Sequence, residues 1–220
     1  MVEIRKFTEE DNDIWNNFIA NAKNSTFLFH RDYMGYHADR FEDHSLLITK
    51  KNKVIAVFPA NQSGKIVQSH GGLTFGSLIM SFDLRATMVI EVFNEIISYY
   101  LNQGITHVLY KTIPYIYTRY PSNEDLYTLF RLNAKLVRRD ISSVINLSER
   151  IKYSESKKQI IKKCNGLDIN VSRNLNFLEY WELLESVLKK FGVKPVHSLS
   201  EIEYLSNKFS EKIQLYEARS

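Results

Sequence analysis

Cysteine is almost absent from the 220-residue chain, which contains Cys164 alone. A single thiol excludes an internal disulfide, and this is typical of proteins from a reducing compartment. The N-terminal segment MVEIRKFTEED also lacks the apolar core of a secretory signal peptide. We therefore predict a cytoplasmic protein.

Long apolar runs and strong charge are missing as well. No run approaches the roughly 18 apolar residues of a membrane-spanning helix. The net charge of +4 suits an anionic ligand but does not by itself indicate nucleic-acid binding. The hydrophobic content of 44% and the charged content of 25% are typical of a globular protein. The length allows either one large domain or one full domain and one partial domain.

Hydrophobic periodicity predicts an alternation of strands and helices. Apolar residues at helical spacing between Asp83 and Gly104 predict a long amphipathic helix. Shorter helices are predicted after Thr8 and over residues 125–132. Strands are predicted over residues 2–7, 46–50, 54–61, 65–69, 105–111 and 135–147. This order predicts an α+β fold, a mixed sheet flanked by helices.

The composition becomes strongly basic at residue 148, where we predict a linker helix over residues 148–163. A strand, two helices and a strand are predicted after it, and Ser198 with Glu201 forms a capping box. The chain begins with the same predicted order of a strand, two helices and a strand. We therefore predict a complete domain over residues 1–147 and the start of a second copy over residues 148–220.

Three histidines, His30, His37 and His44, repeat every seven residues. On one helix, seven residues rise by about 10.5 Å, which is too far for a single metal ion with bonds of about 2 Å. We therefore predict no metal site. His37 with Asp39 and Arg40 is either part of a ligand site or a region where Asp39 and Arg40 pair to tie the segment to the sheet.

A glycine-rich stretch with Gly71, Gly72 and Gly76 directly follows a predicted strand. Glycines of this kind either let backbone N–H groups approach a ligand or form a plain turn. His70, beside them, is either an active residue at a strand end or a hydrogen-bonded surface histidine. Lys111, at the end of another strand, either meets an anion or extends its ammonium group to solvent.

Two further groups have both a functional and a structural interpretation. Tyr115, Tyr117 and Tyr120 either stack on a ligand or line the edge of the core. The lysines of residues 148–163 either bind phosphate groups or form a solvated helix face. Both interpretations remain open at this point.

Five stretches carry a resemblance to a known family. They are residues 31–46 (RDYMGYHADRFEDHSL), 58–61 (FPAN), 69–76 (SHGGLTFG), 138–140 (RRD) and 194–199 (KPVHSL). The chain resembles the Gcn5-related N-acetyltransferase (GNAT) superfamily, and more narrowly its FemAB-like branch of bacterial proteins with two such domains in tandem. The glycine spacing differs from the usual phosphate loop of that superfamily, Gln/Arg-x-x-Gly-x-Gly/Ala.

The resemblance implies an acyltransferase that moves an acetyl or aminoacyl group to an amine of a cell-surface sugar or peptide precursor. The implied donor is acetyl-CoA or another acyl-CoA, with aminoacyl-tRNA as the alternative. A non-catalytic binding or dimerisation module is the competing interpretation, and a homodimer is compatible with either.

We expect the candidate residues to converge on one cleft. The predicted catalytic residues are His70 and His37, and Gly71, Gly72 and Gly76 are predicted to bind the cofactor. The predicted substrate-binding residues are Tyr33, Asp39, Arg40, Lys111, Lys194 and His197.

Overall fold

The computed structural model describes residues 1–149 and 152–219. The chain divides into two compact units, Met1–Lys135 and Leu136–Ser220. Each unit has sheet structure of its own.

The first unit contains two four-stranded sheets, ordered β1-β3-β4-β7 and β2-β5-β6-β8. All strand pairs in them are antiparallel except β6 with β8, which is parallel. The strands are β1 (Val2–Lys6), β2 (Glu42–Asp43), β3 (Leu46–Lys50), β4 (Lys53–Phe58), β5 (Asn61–Ser63), β6 (Ile66–Gln68), β7 (Ile79–Met80) and β8 (His107–Leu109). The helices are α1 (Asn12–Asn21), α2 (Arg31–Gly35), α3 (Ala86–Asn102) and α4 (Glu124–Arg131).

The predicted strand over residues 54–61 is in fact two strands in different sheets. The chain leaves the first sheet after β4 and enters the second at β5, with Pro59 and Ala60 between them. Proline has no N–H for a ladder hydrogen bond, so the pairing of β4 ends there. The Ala60 N–H is bonded instead to Ser45 Oγ at 3.1 Å, and the Ala60 carbonyl accepts from His44 N at 2.9 Å.

The first sheet is covered on both faces. Leu46 and Ile48 of β3 pack in one hydrophobic cluster, whereas Leu47 packs in the other, because successive side chains of a strand point to opposite faces. The long predicted helix is present as α3, whose buried residues include Val89 and Val92. In the described ranges, no helix has both the length and the apolar character needed to cross a membrane.

Over its described residues, the second unit contains three helices and a two-stranded antiparallel sheet. Its elements are α5 (Glu155–Cys164), β9 (Asn170–Asn174), α6 (Phe177–Lys189), α7 (Leu199–Lys208) and β10 (Leu215–Arg219). The capping box of Ser198 and Glu201 is present. Residues 150 and 151 of the predicted basic linker lie outside the described residues. That this unit is a second copy of the chain's beginning stays a prediction.

The prediction of a strand over residues 135–147 is wrong. This segment has no regular secondary structure, and Leu136, Val137 and Ile141 are 75%, 75% and 98% exposed. Apolar alternation stabilises a strand only where a neighbouring strand pairs with it and buries one face. No such partner lies beside this segment among the described residues.

An ion pair between a buried lysine and a partly exposed glutamate links the segment after α1 to α4. Lys23 is 1% exposed, and its ammonium donates to the Leu84 carbonyl at 2.8 Å and to Glu124 Oε1 at 2.6 Å; the Glu124 side chain is 23% exposed. Removal of the lysine leaves Glu124 without its countercharge. Lys23 therefore stabilises the docking of α4 across a long sequence separation.

We expect Lys23→Met to lower the free energy of unfolding by about 3 kcal/mol, because Glu124 and the Leu84 carbonyl lose their donor. Urea denaturation measures this loss. The control is Lys6→Met, the same substitution at an exposed lysine of β1, with an expected change within about 0.5 kcal/mol. Equal effects of the two substitutions would contradict the assignment.

Candidate functional site

The candidate site lies where the parallel strands β6 and β8 end. Open sheets with parallel strands commonly bind ligands beyond the carboxyl ends of those strands. Here β6 is followed by Ser69 and His70, and β8 by Tyr110 and Lys111. The topology thus places a histidine and a lysine at two neighbouring strand ends.

Lys111 organises the glycine loop, which we define as residues 70–77. Its backbone N–H donates to Ser69 Oγ at 2.7 Å, and its carbonyl accepts from Gly76 N at 3.0 Å. Its ammonium donates to the carbonyls of Leu73 and Gly71. Burial lowers the pKa of Lys111 below its ordinary value. The Lys111 side chain therefore stabilises the conformation of the glycine loop through hydrogen bonds to its carbonyl groups.

His37 and His70 form a buried pair of rings against the same loop. Their ring centroids lie 5.2 Å apart, and both rings contact Phe41. Only 1% of His37 and 3% of His70 is exposed. A Cβ at Gly72 would lie 2.1 Å from His37 Nε2, so only glycine allows the loop to approach this closely.

Burial determines the charge state of His70. It lowers the pKa of His70 to about 3, and the neighbouring His37 acts in the same direction. Asp43 opposes the shift by a smaller amount. Within the described part of the chain, no hydrogen-bond partner reaches the buried His70 Nδ1. His70 is therefore neutral at pH 7, and a weak base as long as it stays buried.

A run of aromatic contacts connects the histidine pair to Tyr33 and Arg40. The Tyr33 ring lies 5.6 Å from Tyr36, which lies 4.2 Å from His37, and the Arg40 guanidinium lies 5.7 Å from the centre of the Tyr36 ring. Burial raises the pKa of Tyr33. The structure thus brings these groups and His70 into one continuous cluster.

Asp39 and Arg40 form an ion pair within their own turn. Arg40 Nε lies 3.7 Å from Asp39 Oδ1, and the Asp39 side chain is 76% exposed. Arg31 connects the same segment to the second sheet, because its Nη1 lies 2.5 Å from Asp43 Oδ2 in β2. The Arg31 guanidinium also stacks on Phe7, with 3.3 Å between Cζ and the ring centre. Both interpretations of Asp39 and Arg40 stay predictions.

The glycine loop does not fit the phosphate cradle that the resemblance implies. The Gly71 N–H donates to Asn61 Oδ1, and the Gly76 N–H donates to the Lys111 carbonyl. Two of the three predicted donors are thus engaged within the protein. A Cβ at Gly76 would lie 1.9 Å from the Ser69 carbonyl oxygen, so this glycine is required by packing.

The tyrosines after β8 are largely exposed, with exposed fractions of 76% for Tyr115, 49% for Tyr117 and 58% for Tyr120. Whether they stack on a ligand or line the edge of the core stays a prediction. Tyr117 stacks on Phe75 of the glycine loop, with 5.3 Å between ring centres.

Lys194 and His197 belong to the second unit, where they line an apolar groove. Their predicted convergence with His37 and His70 stays a prediction. In the first unit, His30 caps α2 and His44 contacts two glutamine side chains. Over residues 1–149 and 152–219, no group of three or more metal-ligating side chains is placed to hold an ion.

Several residues of the cluster were not predicted. Asn61 holds Gly71, Ser69 receives the Lys111 N–H, and Phe41 covers both histidines. The position of Ser69 next to His70 at a strand end was a weak indication of its role. Nothing in the sequence indicated the roles of Asn61 and Phe41, because those roles depend on contacts between distant segments.

Comparisons with known proteins find a likeness of fold alone. No family model and no curated protein sequence matches the chain. The crystal structure of FemX is similar, with a TM-score of 0.58 and 9% identity over 98% of this chain and 57% of the FemX chain. The chain therefore spans little more than half of the FemX chain. The predicted α+β class, with mixed sheet structure flanked by helices, is confirmed.

Two other solved structures are more distantly similar. A transcriptional regulator from Bacillus halodurans C-125 has a TM-score of 0.41 and 10% identity over 66% of this chain and 100% of its own. A possible acetyltransferase from Clostridium difficile 630 has a TM-score of 0.39 and 13% identity over 67% of this chain and 99% of its own. Both likenesses are too weak to support a conclusion.

We expect Gly72→Ala to lower the free energy of unfolding by about 1–3 kcal/mol, because the added methyl group overlaps the His37 ring. Chemical denaturation followed by circular dichroism measures the change. The matched control is Gly35→Ala in α2, where a Cβ meets no atom within 4 Å. A loss at Gly35 as large as that at Gly72 would contradict the packing explanation.

The buried His70 predicts a dependence of stability on pH. As the pH falls through the ordinary value of 6.5, the unfolded chain takes up a proton at His70, and the folded protein does so only near pH 3. The free energy of unfolding therefore falls with decreasing pH, with a contribution of about 1.4 kcal/mol per pH unit below 6.5.

We expect His70→Asn to remove this contribution between pH 6.5 and pH 5, measured by urea titrations at each pH. Asparagine suits the left-handed backbone of this position, where φ is 54°. The control is His107→Asn at an exposed histidine of β8, which should leave the slope unchanged. An unchanged slope for His70→Asn would show that the ring is not buried in solution.

Proposed function

We propose that the protein is an acyltransferase, which moves an acetyl or aminoacyl group from a thioester or ester donor to an amine. The proposed acceptor is an amine of a cell-surface sugar or peptide precursor. The observation that carries the proposal is the position of His70 and Lys111 at neighbouring ends of the parallel strands β6 and β8. The FemX-like fold is consistent with it.

The chemistry of acyl transfer to an amine needs a group that accepts a proton. The amine nitrogen attacks the carbonyl carbon, the bond to the leaving sulfur or oxygen breaks, the nitrogen loses a proton, and the leaving sulfur or oxygen takes up a proton. His70 is the proposed proton acceptor because it is neutral at pH 7 and lies at a strand end. His37 contacts its ring and is proposed to orient it.

Access to His70 requires movement of the glycine loop or of the turn at residues 36–41. The two rings are covered by Phe41, Tyr36 and Gly72. Burial is the largest cause of the low pKa of His70, so exposure would raise the pKa toward the range of an effective base. Loop opening thus both admits substrate and activates the base in this proposal.

The donor is proposed to bind through side chains and not through the glycine loop. Gly71 and Gly76 use their N–H groups within the protein, so no step is assigned to a phosphate held there. Arg40, with its side chain 40% exposed at the edge of the cluster, is the cation best placed to meet an anionic carrier or carboxylate. Tyr33 and Asp39 are proposed to contact the acceptor.

A non-catalytic binding module is the second candidate function. It is favoured by the burial of both histidines, since a catalytic side chain must touch the reacting atoms. A module of this kind would bind its ligand on the exposed surface around Arg40 and leave the histidine pair as packing. The two candidates differ in whether His70 affects turnover.

We expect the protein to transfer label from radioactive acetyl-CoA or alanyl-tRNA to glucosamine or to a lysine-containing peptide. His70→Asn should lower the rate by at least about 100-fold, as expected for loss of a general base. His107→Asn, the same change at an exposed strand position, should retain full activity. The transfer rates are compared at a temperature below the thermal unfolding midpoints of both variants.

A thermal-shift titration with acetyl-CoA, combined with the transfer assay, separates the candidate functions. Ligand binding to the folded state raises the midpoint in either case, but only the enzyme gives labelled product that depends on His70. Full activity of His70→Asn would remove His70 from the mechanism. Binding without turnover under all donor and acceptor pairs would support the binding module instead.

A further inference from the structure

The second unit contains an apolar groove that is lined by residues of this unit. It has a volume of about 660 Å³ and lies between α6, the segment at residues 193–197, α7 and the start of β10. Phe177, Trp181, Leu184 and Leu188 of α6 form one wall, at the spacing of a single helix face. The volume is in the range of small-molecule sites, about 300–1,000 Å³.

The charge of the groove has one sign. Among the described residues that line it, Lys194 carries a formal charge and no aspartate or glutamate is present. The glutamates Glu182 and Glu185 of α6 are not part of the lining, although they neighbour wall residues in sequence. A negatively charged ligand group therefore meets a cation at Lys194 and no repelling carboxylate in the lining.

The position of Lys194 is restrained by the chain that follows it. Pro195 fixes its own φ and favours an extended conformation for Lys194. Ser198 N donates to Glu201 Oε2 at 2.8 Å, and Glu201 N donates to Ser198 Oγ at 3.2 Å, which anchors the segment to α7. The backbone that carries Lys194 is therefore preformed, and a ligand need not order it.

We propose that this groove binds a small amphipathic anion, an apolar chain or ring that ends in a carboxylate or a similar anionic group. The apolar wall of α6 takes the body of the ligand, and Lys194 pairs with the charged end. His197 and Gln214, which also line the groove, supply further polar contacts. The proposal does not depend on the acyltransferase function.

Other occupants fit the lining less well. A cationic ligand has no carboxylate in the lining to pair with, and a neutral one makes no use of Lys194. A nucleic acid needs several cations along its backbone, whereas the lining provides Lys194 alone. An apolar protein segment would pack against the wall formed by α6 but would have no charged group to pair with Lys194.

Decanoate below its micellar concentration is the probe, and the tryptophan fluorescence of the full chain is the readout. Trp181 lines the groove, whereas Trp15, the other tryptophan, is buried in the first unit with its N–H bonded to the Phe29 carbonyl. We expect a saturable change in emission and a calorimetric stoichiometry of one. Decyltrimethylammonium should bind at least about tenfold more weakly.

Two variants locate the site. Lys194→Glu should weaken decanoate binding by about tenfold or more. Lys190→Glu makes the same charge change at an exposed lysine just beyond α6 that does not line the groove, and should leave the affinity unchanged. Trp181→Phe should abolish the fluorescence response and keep calorimetric binding.

Three results would overturn the proposal. Equal effects of Lys194→Glu and Lys190→Glu on the affinity for decanoate would show that the preference for an anion comes from the overall charge of the protein and not from Lys194. Equal affinity for decanoate and decyltrimethylammonium would indicate an apolar surface suited to a protein segment. Absence of saturable binding by calorimetry would show that the groove is not a site for this class of ligand.

Discussion

The geometry of the candidate site depends on the way Lys111 holds the glycine loop. Its ammonium group, its N–H and its carbonyl together bond to five residues at the end of β6 and in the loop. These bonds give the loop the position in which Gly72 meets His37 without a Cβ between them. The buried histidine pair, and with it the protonation state of His70, follows from that contact.

The histidine pair of the first unit is buried. A histidine held neutral by desolvation adds nothing to catalysis while Phe41 and the glycine loop cover it. The same ring becomes a stronger base when water reaches it, because desolvation is the main cause of its low pKa. Substrate access and base strength are therefore coupled through one loop movement in the proposed enzyme.

The two units place their candidate site residues in different environments. In the first unit the pair of His37 and His70 is buried, and the glycine loop packs closely on His37 at Gly72 and on Ser69 at Gly76. In the second unit Lys194 and His197 line an open apolar groove. That all of these residues converge on one cleft stays a prediction.

Local pattern in the sequence determined the elements that depend on local physics: α3 from its apolar spacing, α7 from its capping box, and the turn of the glycine loop after β6. Tertiary structure decided the rest. The alternation over residues 135–147 formed no strand because no described neighbour pairs with it, and β4 and β5 separated because Pro59 ends the ladder. The sequence placed His37 and His70 in dense polar segments but did not show that their rings are in contact. Nor did it show the ion pair of Arg31 with Asp43 or the hydrogen bond from the Gly71 N–H to Asn61. Each of these contacts joins segments that are separated in sequence. Periodicity and spacing carry no information about such contacts, because the partners are specified only when the chain packs.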